Sequence, residues 1–248
     1  MKPVLLITGA SRGIGAAVAK LAAKDGYDIC INYASAKDEA EKVASMAREA
    51  GVRAIIFQAD TSNEAEVVAM FETIDRDLGP LTGVVNNAGI TGKFCRVDEL
   101  EADVLRRVLD VNVTGCFLVA REAVRRMSTR HGGAGGVIVN VSSMASLMGS
   151  PNDYVHYAAS KGAVDSMTIG LSREVAGEGI RVNAVNPGII DTEIHAGGGR
   201  PDRWRDKGET LPMGRGGTAQ EVAEAIIWLL SDKSSFTTGA CLTLSGGA

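Results

Sequence analysis

The residues best suited to chemistry in this chain of 248 lie between Asn140 and Lys161. That stretch ends in Tyr157-Ala158-Ala159-Ser160-Lys161. On a helix, residues four apart share a face, so Tyr157 and Lys161 would be neighbours. An ammonium beside a phenol stabilises the phenolate and lowers its pKa from about 10. Tyr157 is therefore a candidate general acid or base near neutral pH. Ser142 and Ser143, at the end of a strand-like run, are candidates to hydrogen-bond a substrate oxygen. Spacing alone does not single out this pair, because Tyr33 and Lys37 repeat it. In isolation either pair reads equally as a surface contact on a helix.

The surrounding pattern separates the two. Short β-branched runs alternate with longer helical patterns. Strands are expected at Val4–Thr8, Asp28–Asn32, Arg53–Gln58, Gly83–Asn86, Gly136–Val141, Arg181–Val185 and Cys241–Leu244. Helices are expected at Gly13–Lys24, Ala36–Glu49, Glu64–Leu78, Leu100–Asp110, Val113–Thr129, Tyr154–Val175 and Thr218–Leu230. This rhythm predicts an α/β protein with a mostly parallel seven-stranded sheet and helices on both faces. The strands are nearly continuous apolar runs, as strands covered on both faces are. No linker or shift in composition divides residues 1–248, so one domain is expected. The polar, Gly-rich stretch 191–213 lies between a strand and a helix, where a mobile substrate lid is expected.

Between the first strand and helix stands Thr8-Gly9-Ala10-Ser11-Arg12-Gly13-Ile14-Gly15. Glycines at 9, 13 and 15 permit a tight turn and close backbone approach. The helix N-terminus then offers N–H groups and a positive dipole end to a pyrophosphate. In this order, strand, turn and helix predict a dinucleotide site. The second strand ends Asn32-Tyr33-Ala34-Ser35-Ala36-Lys37, with no acid to hold a ribose 2′-hydroxyl. Arg12, with Asn32, Ser35 and Lys37, could hold a 2′-phosphate instead, which favours NADP(H) over NAD(H). Tyr33 and Lys37 thus fall at the adenosine end. After the third strand, Asp60-Thr61 reads either as an acceptor for the adenine amino group or as a cap for the helix near Asn63. After the fourth, Asn86-Asn87-Ala88-Gly89 leaves room for a ribose against the backbone.

Composition narrows the classes. Hydrophobic residues make up 45% and charged residues 23%, as in ordinary globular proteins. The formal charge is −4, and no Lys/Arg stripe points to nucleic acid. Cys30, Cys95, Cys116 and Cys241 match no metal-ligand spacing, so no metal is expected. No apolar run suggests a membrane span or signal peptide, and a cytoplasmic location is expected.

Taken together, TGASRGIG at 8–15, Asp60, NNAG at 86–89, Asn112 in LDVNVTG, VNVSS at 139–143, YAASK at 157–161, and NPG at 186–188 with Thr192 resemble the short-chain dehydrogenase/reductase family. The resemblance spans essentially the whole chain, and is nearest to glucose-dehydrogenase-like and 3-oxoacyl-reductase-like bacterial oxidoreductases. It implies a single-domain, doubly wound Rossmann fold and hydride transfer between a nicotinamide and a carbonyl or alcohol substrate, with a sugar or polyol dehydrogenase or a non-catalytic NADP-binding regulator as alternatives. It implies catalytic roles for Asn112, Ser143, Tyr157 and Lys161. Ser143 stands fourteen residues before Tyr157, one more than the commonest family spacing, and the extra residue is assigned to the Ser150–Val155 loop. Ser142 is the alternative. Lys161 would lower the Tyr157 pKa and hold the ribose, and Asn112 would link Lys161 to solvent. Cofactor contacts are implied for Gly9, Ser11, Arg12, Gly13, Ile14 and Gly15; for Asn32, Ala34 and Ser35; for Asp60 and Thr61; for Asn87, Ala88 and Gly89; for Tyr157 and Lys161; and for Pro187, Gly188, Ile190 and Thr192. The substrate pocket is expected from Thr91–Phe94, Met144–Pro151 and the lid, with Tyr154 lining it and His195 a candidate contact. His156 is expected at the surface or an interface. The resemblance also implies a homotetramer packed through Val113–Thr129 and Tyr154–Val175, with the C-terminal segment as a further contact.

Overall fold

The computed structural model describes residues 2–248. The strands of its main sheet alternate their side chains between two cores. Leu5 and Ile7 of β1 (Val4–Ile7), with Ile29 and Ile31 of β2 (Asp28–Tyr33), enter one apolar cluster. Val4, Leu6 and Cys30 enter the other. This is the period-two geometry of a strand, and it demands a helical layer on each face. The first cluster is closed by α1 (Gly13–Lys24) and α2 (Lys37–Glu49). After β3 (Ala54–Gln58), the second is closed by α3 (Glu64–Asp77), through Val67, Met70, Phe71 and Ile74.

The chain continues through β4 (Gly83–Asn86), α4 (Ala102–Leu109), α5 (Gly115–Met127), β5 (Gly136–Val141), the short α6 (Ala145–Met148) and the long α7 (Val155–Val175). It then forms β6 (Ile180–Pro187), β7 (Ile190–Asp191), α8 (Ile194–Gly197), α9 (Arg203–Gly208), β8 (Gly217–Thr218), α10 (Ala219–Leu230) and β9 (Cys241–Leu244). Seven strands form one parallel sheet in the order β3-β2-β1-β4-β5-β6-β9, and β7 pairs with β8 separately. The order reverses between β1 and β4. Such a reversal opens a crevice at the carboxyl ends of the strands, which is where doubly wound sheets bind ligands.

The seven expected strands all form, and β6 runs two residues further because Asn186 and Pro187 continue the register against Thr243 and Leu244. The helices meet their expected bounds closely, with one exception. The break expected between Asp110 and Val113 is instead one π-helical turn, Asp110–Thr114, that joins α4 to α5. A π turn adds a residue to the helix, and here it carries buried Asn112. The turn before α7 is left-handed at Gly149, Ser150 and Asn152, within and just before the loop assigned the extra residue. The stretch 191–213 is not shapeless, since it holds α8 and α9. No helix among the described residues is long and apolar enough to cross a membrane.

Candidate active site

The site collects the carboxyl ends of the strands around the first turns of α7. Tyr157 and Lys161 lie on one face of that helix, 7% and 4% exposed. Lys161 Nζ donates to the Val141 carbonyl at 2.7 Å and sits 5.8 Å from the Tyr157 ring centroid. The two serines part company where β5 ends. Ser142 Oγ is buried and donates to the Lys161 carbonyl at 3.1 Å, so it braces α7. Ser143 Oγ accepts from the Ala145 amide at 3.1 Å and acts on the Tyr157 phenol. Ser143, Tyr157 and Lys161 line one cavity of about 80 Å³, with Pro187, Gly188, Ile190 and Thr192 on its other side.

The electrostatics differ from the expectation drawn from spacing. Burial is the main influence on Tyr157 and pushes its phenol up, not down; Tyr154 adds to the rise and Ser143 opposes it. Burial also pushes Lys161 down to about 8, against smaller opposing effects of Cys116 and Asp165. Lys161, bonded to the Val141 carbonyl, does not offset that burial. Each group is out of water, so desolvation of the charged form outweighs their attraction. The rival pair never meets on a helix: Tyr33 ends β2 inside the core, and Lys37 begins α2 exposed.

Asn112 acts as a clamp. Its Oδ1 accepts from the Ile90 amide and its Nδ2 donates to the Ile90 carbonyl, both at 2.8 Å. The same Nδ2 donates to Ser160 Oγ at 2.9 Å, and Ser160 donates to the Tyr157 carbonyl. Both N–H bonds of the amide are thus committed to positioning α7 against the loop after β4. A Cβ on Gly89 would lie 3.3 Å from both Asn112 Oδ1 and Lys161 Nζ, so glycine lets these groups approach.

A cleft of about 250 Å³ adjoins the cavity and runs past the start of α1. It is lined by Gly9, Ser11, Arg12, Gly13, Ile14, Asn32, Ala34, Ser35, Asp60, Thr61, Asn87, Ala88, Gly89 and Thr192. Gly9 and Gly13 are left-handed, at φ +61° and +56°, and no side chain caps α1. Gly15 lies beneath the loop, where a Cβ would come within 2.8 Å of Ala10 and Gly9 and 2.7 Å of Asn87. Two polar side chains are less available than expected. Asn32 accepts from the Gly9 amide and donates to the Ala59 carbonyl at 3.0 Å, so its amide holds the loop. Asp60 bonds Ser62 and pairs with Arg107 at 2.7 Å, while Asn63, not Asp60, caps α3. Hydrogen bonds from Ser62 and Arg107 hold the Asp60 carboxyl below its ordinary value, against the opposing and larger effect of burial taken singly.

Arg107 and Glu193 also line the cleft and were not foreseen. The signal for Arg107 was its place in LRRVLDVN, five residues ahead of Asn112 on the helix entering the site. Of the residues expected around a substrate, Thr91, Tyr154 and His195 line the cavity, whereas Leu147 and Met148 are exposed. His156 is not at the surface. It is buried, and its Nε2 lies 3.1 Å from the Thr91 carbonyl. Among the described residues no cluster of three His, Cys, Asp or Glu side chains is placed to hold a metal ion.

The family model described as "Enoyl-(Acyl carrier protein) reductase" matches residues 9–248. The oxidoreductase YgfF of Escherichia coli (strain K12) is 54% identical over 244 residues, 98% of this chain and 99% of that protein. Two solved structures superpose over 99% of this chain and 97% of theirs. One is a 3-ketoacyl-(acyl-carrier-protein) reductase from Brucella melitensis complexed with NADH, at a TM-score of 0.91 and 34% identity. The other is a short chain dehydrogenase from Burkholderia cenocepacia J2315 in complex with NADP, at a TM-score of 0.89 and 32% identity.

The buried pair predicts opposite pH effects on stability. Lys161 has a folded pKa of about 8 against an ordinary 10.5, so between these values the unfolded chain binds the extra proton and stability rises with pH. Tyr157 is raised above its ordinary 10.0, so from there upward the folded chain holds the extra proton and stability falls. Urea unfolding from pH 7 to about 11 checks both. The stability of wild type relative to Lys161→Met should climb from pH 8, and that relative to Tyr157→Phe should fall above pH 10. Flat differences would mean that neither group is desolvated.

Proposed function

The chain belongs to the short-chain dehydrogenase/reductase family, and from that membership we propose that it is an NADP(H)-dependent oxidoreductase acting on a carbonyl or alcohol carbon. One observation carries the reading. The cavity at Tyr157 and the cleft at α1 share Ile14, Asn87, Gly89, Thr192 and Ile194 in their walls, so a dinucleotide held along the cleft would reach the acid–base group. The residues suit such a group. Gly9 and Gly13 form a left-handed turn, and the uncapped first turn of α1 directs N–H groups outward to a pyrophosphate. Tyr157 and Lys161 would meet the nicotinamide ribose, and Pro187, Gly188, Ile190 and Thr192 the ring's carboxamide side. The nicotinamide supplies the hydride chemistry.

In reduction, Ser143 Oγ and Tyr157 Oη hydrogen-bond the carbonyl oxygen, and Tyr157 donates its proton to the developing alkoxide. Burial keeps that proton on the phenol at neutral pH, ready for donation. In oxidation Tyr157 takes the proton, with Lys161 as the charge within reach that favours phenolate. Asn112, through Ser160 and Ile90, keeps Tyr157 at its post. General acid catalysis contributes on the order of 10²–10⁴-fold. Tyr157→Phe should lose at least that lower factor in NADPH oxidation with a panel of ketones, aldehydes and 3-oxoacyl thioesters. Equal rates for wild type and variant on every substrate would end the catalytic reading.

One solved relative carries NADP and another NADH. What supports NADP(H) here is the end of β2. Ala34 and Ser35 are exposed there without a carboxylate, and the Arg12 side chain lies across the cleft with no hydrogen bond or ion pair among the described residues. A charge-assisted hydrogen bond is worth about 1.5–3 kcal/mol, so Arg12→Ala should weaken NADPH binding about tenfold or more and NADH binding much less. Equal losses in a fluorescence titration would remove the 2′-phosphate role.

A homotetramer is supported by the outer face of α5 and α7. A groove there exposes Phe117 (52%) and is walled by Val124, Met167 and Leu171. Arg121 and Arg125, which pair with Glu122, line the groove together with Glu174 and Glu178, so both charges are presented to a second copy across a two-fold axis. Trp228 and Phe236 are exposed as well and would supply a second contact. Native mass measurement should find four chains, and Phe117→Asp should give smaller species. A monomer for wild type would refute the assembly.

A further inference from the structure

Beside the site stands a half-buried carboxylate that the reaction as described does not use. Asp165 lies on α7 four residues beyond Lys161, one turn along the same face. It enters no salt bridge among the described residues. Its hydrogen-bond partners are neutral. Both oxygens accept from Asn186 Nδ2 of β6, at 3.2 and 3.1 Å, and the Cys241 thiol of β9 donates to the same carboxylate. Asn186 carries the contact onward. One N–H of its amide faces Asp165, which leaves the other for the turn after β5. There Nδ2 donates to Ser146 Oγ at 3.2 Å and, more weakly, to the Ser143 carbonyl at 3.4 Å. Ser146 Oγ donates in turn to that carbonyl at 2.7 Å. A continuous run of hydrogen bonds therefore joins Asp165 to the backbone of Ser143.

The orientation of that amide shows what the carboxylate does. Asn186 Oδ1 is buried with no partner, although buried polar groups are normally satisfied. Turning the amide over would set its oxygen against Asp165, and an ionised carboxylate only accepts. Asp165 thus holds the donor edge of Asn186 toward Ser146 and leaves the oxygen unpaired. Lys161 is the other group within its reach. Two titratable groups act on the Lys161 ammonium, Cys116 of α5 and Asp165. Burial pushes the Cys116 thiol up to about 12 and raises the Tyr157 phenol, so both are neutral at working pH. That leaves Asp165 as the one full opposite charge beside an ammonium that burial disfavours.

Resting on the oxidoreductase reading above, we propose that Asp165 is a positioning residue for both Ser143 and Lys161: through Asn186 and Ser146 it fixes the turn that presents Ser143, and its charge is the counter-ion of the Lys161 ammonium. It lines neither the cavity nor the cleft, so it acts only through these neighbours. The two arms are separable. Ser146 belongs to the hydrogen-bond run alone, and the charge belongs to Asp165 alone.

The test follows carbonyl reduction with NADPH from about pH 6 to about 10, on the members of the carbonyl panel that wild type turns over. Loss of the Lys161 proton gives the first falling limb of kcat/KM, at about 8 in wild type. Asparagine at 165 still accepts from Asn186 but carries no charge, so in Asp165→Asn the limb should move down by about half a pH unit or more. Asp165→Glu keeps the charge and should bring the limb back toward wild type. Ser146→Ala breaks the run and should lower kcat/KM about fivefold at every pH, as loss of one neutral hydrogen bond does, with the limb unmoved. A merely structural Asp165 would lower the rate and leave the limb in place. The same shift is read without turnover in urea unfolding. Stability relative to the same protein carrying Lys161→Met climbs with pH from about 8 in wild type, and should climb from a lower pH in Asp165→Asn. Asp165→Ser serves as a second neutral variant should Asp165→Asn not fold. A limb that stays in place without the charge, or full activity in Ser146→Ala, would overturn the inference and leave the oxidoreductase reading standing. No turnover on the whole panel would instead remove that reading, and the positioning role with it.

Discussion

The site depends on one tie across the reversal in strand order. β1 and β4 are hydrogen-bonded neighbours only as far as Ile7 and Val85. Beyond that the chain must diverge to open a crevice, yet its walls must stay fixed. Thr8 and Asn87 solve this with side chains. Thr8 Oγ1 accepts from the Asn87 and Ala88 amides at 2.9 Å, and Asn87 Nδ2 donates to the Thr8 and Gly9 carbonyls at 2.8 and 3.1 Å. Asn32 adds its bond to the Gly9 amide from the other side. Backbone groups that the sheet leaves unpaired at its end are thereby satisfied, as buried backbone must be. The glycine turn, the cleft and the cavity wall all stand on this frame.

The second constraint is the burial of Tyr157 with Lys161. In water the two would attract and the phenol would ionise more readily. Within the fold, both lose hydration, and each is driven toward its neutral form. What remains polar is held by short bonds: Lys161 to Val141, Ser142 to the Lys161 carbonyl, Asn112 to Ser160 and Ile90. The π turn matters because it places Asn112 inside, where an uninterrupted α-helix from α4 into α5 would have given the chain a different rotation. The pair is thus positioned by groups scattered over the loop after β4, β5 and the α4–α5 junction.

The stretch 191–213 extends the same logic to the far side of the cavity. Phe94, Tyr154 and Arg203 form a layered stack, and Gly198 is pressed against Phe94 so closely that a Cβ would overlap the ring. Contact of this kind explains why the polar stretch 191–213 holds two short helices instead of running free. Leu147 and Met148, expected in the pocket, turn outward because α6 ends there in a left-handed residue.

Much of this was legible in the chain itself. Apolar periodicity marked all seven strands of the main sheet, because a strand covered on both faces has little choice of residues. The glycine turn and the Tyr157–Lys161 spacing were readable because each is local: a few consecutive residues satisfy the geometry by themselves. The sequence could not say which serine faces inward, that Asn32 and Asp60 spend their side chains on the loops, that Arg107 joins the cleft, or that His156 is buried. Each of those depends on residues distant along the chain meeting in space, as Asp60 meets Arg107 and His156 meets Thr91. The pKa of Tyr157 belongs to the same class. Sequence placed a charge beside the phenol, but only the folded structure decided how much water both had lost, and desolvation outweighs that charge.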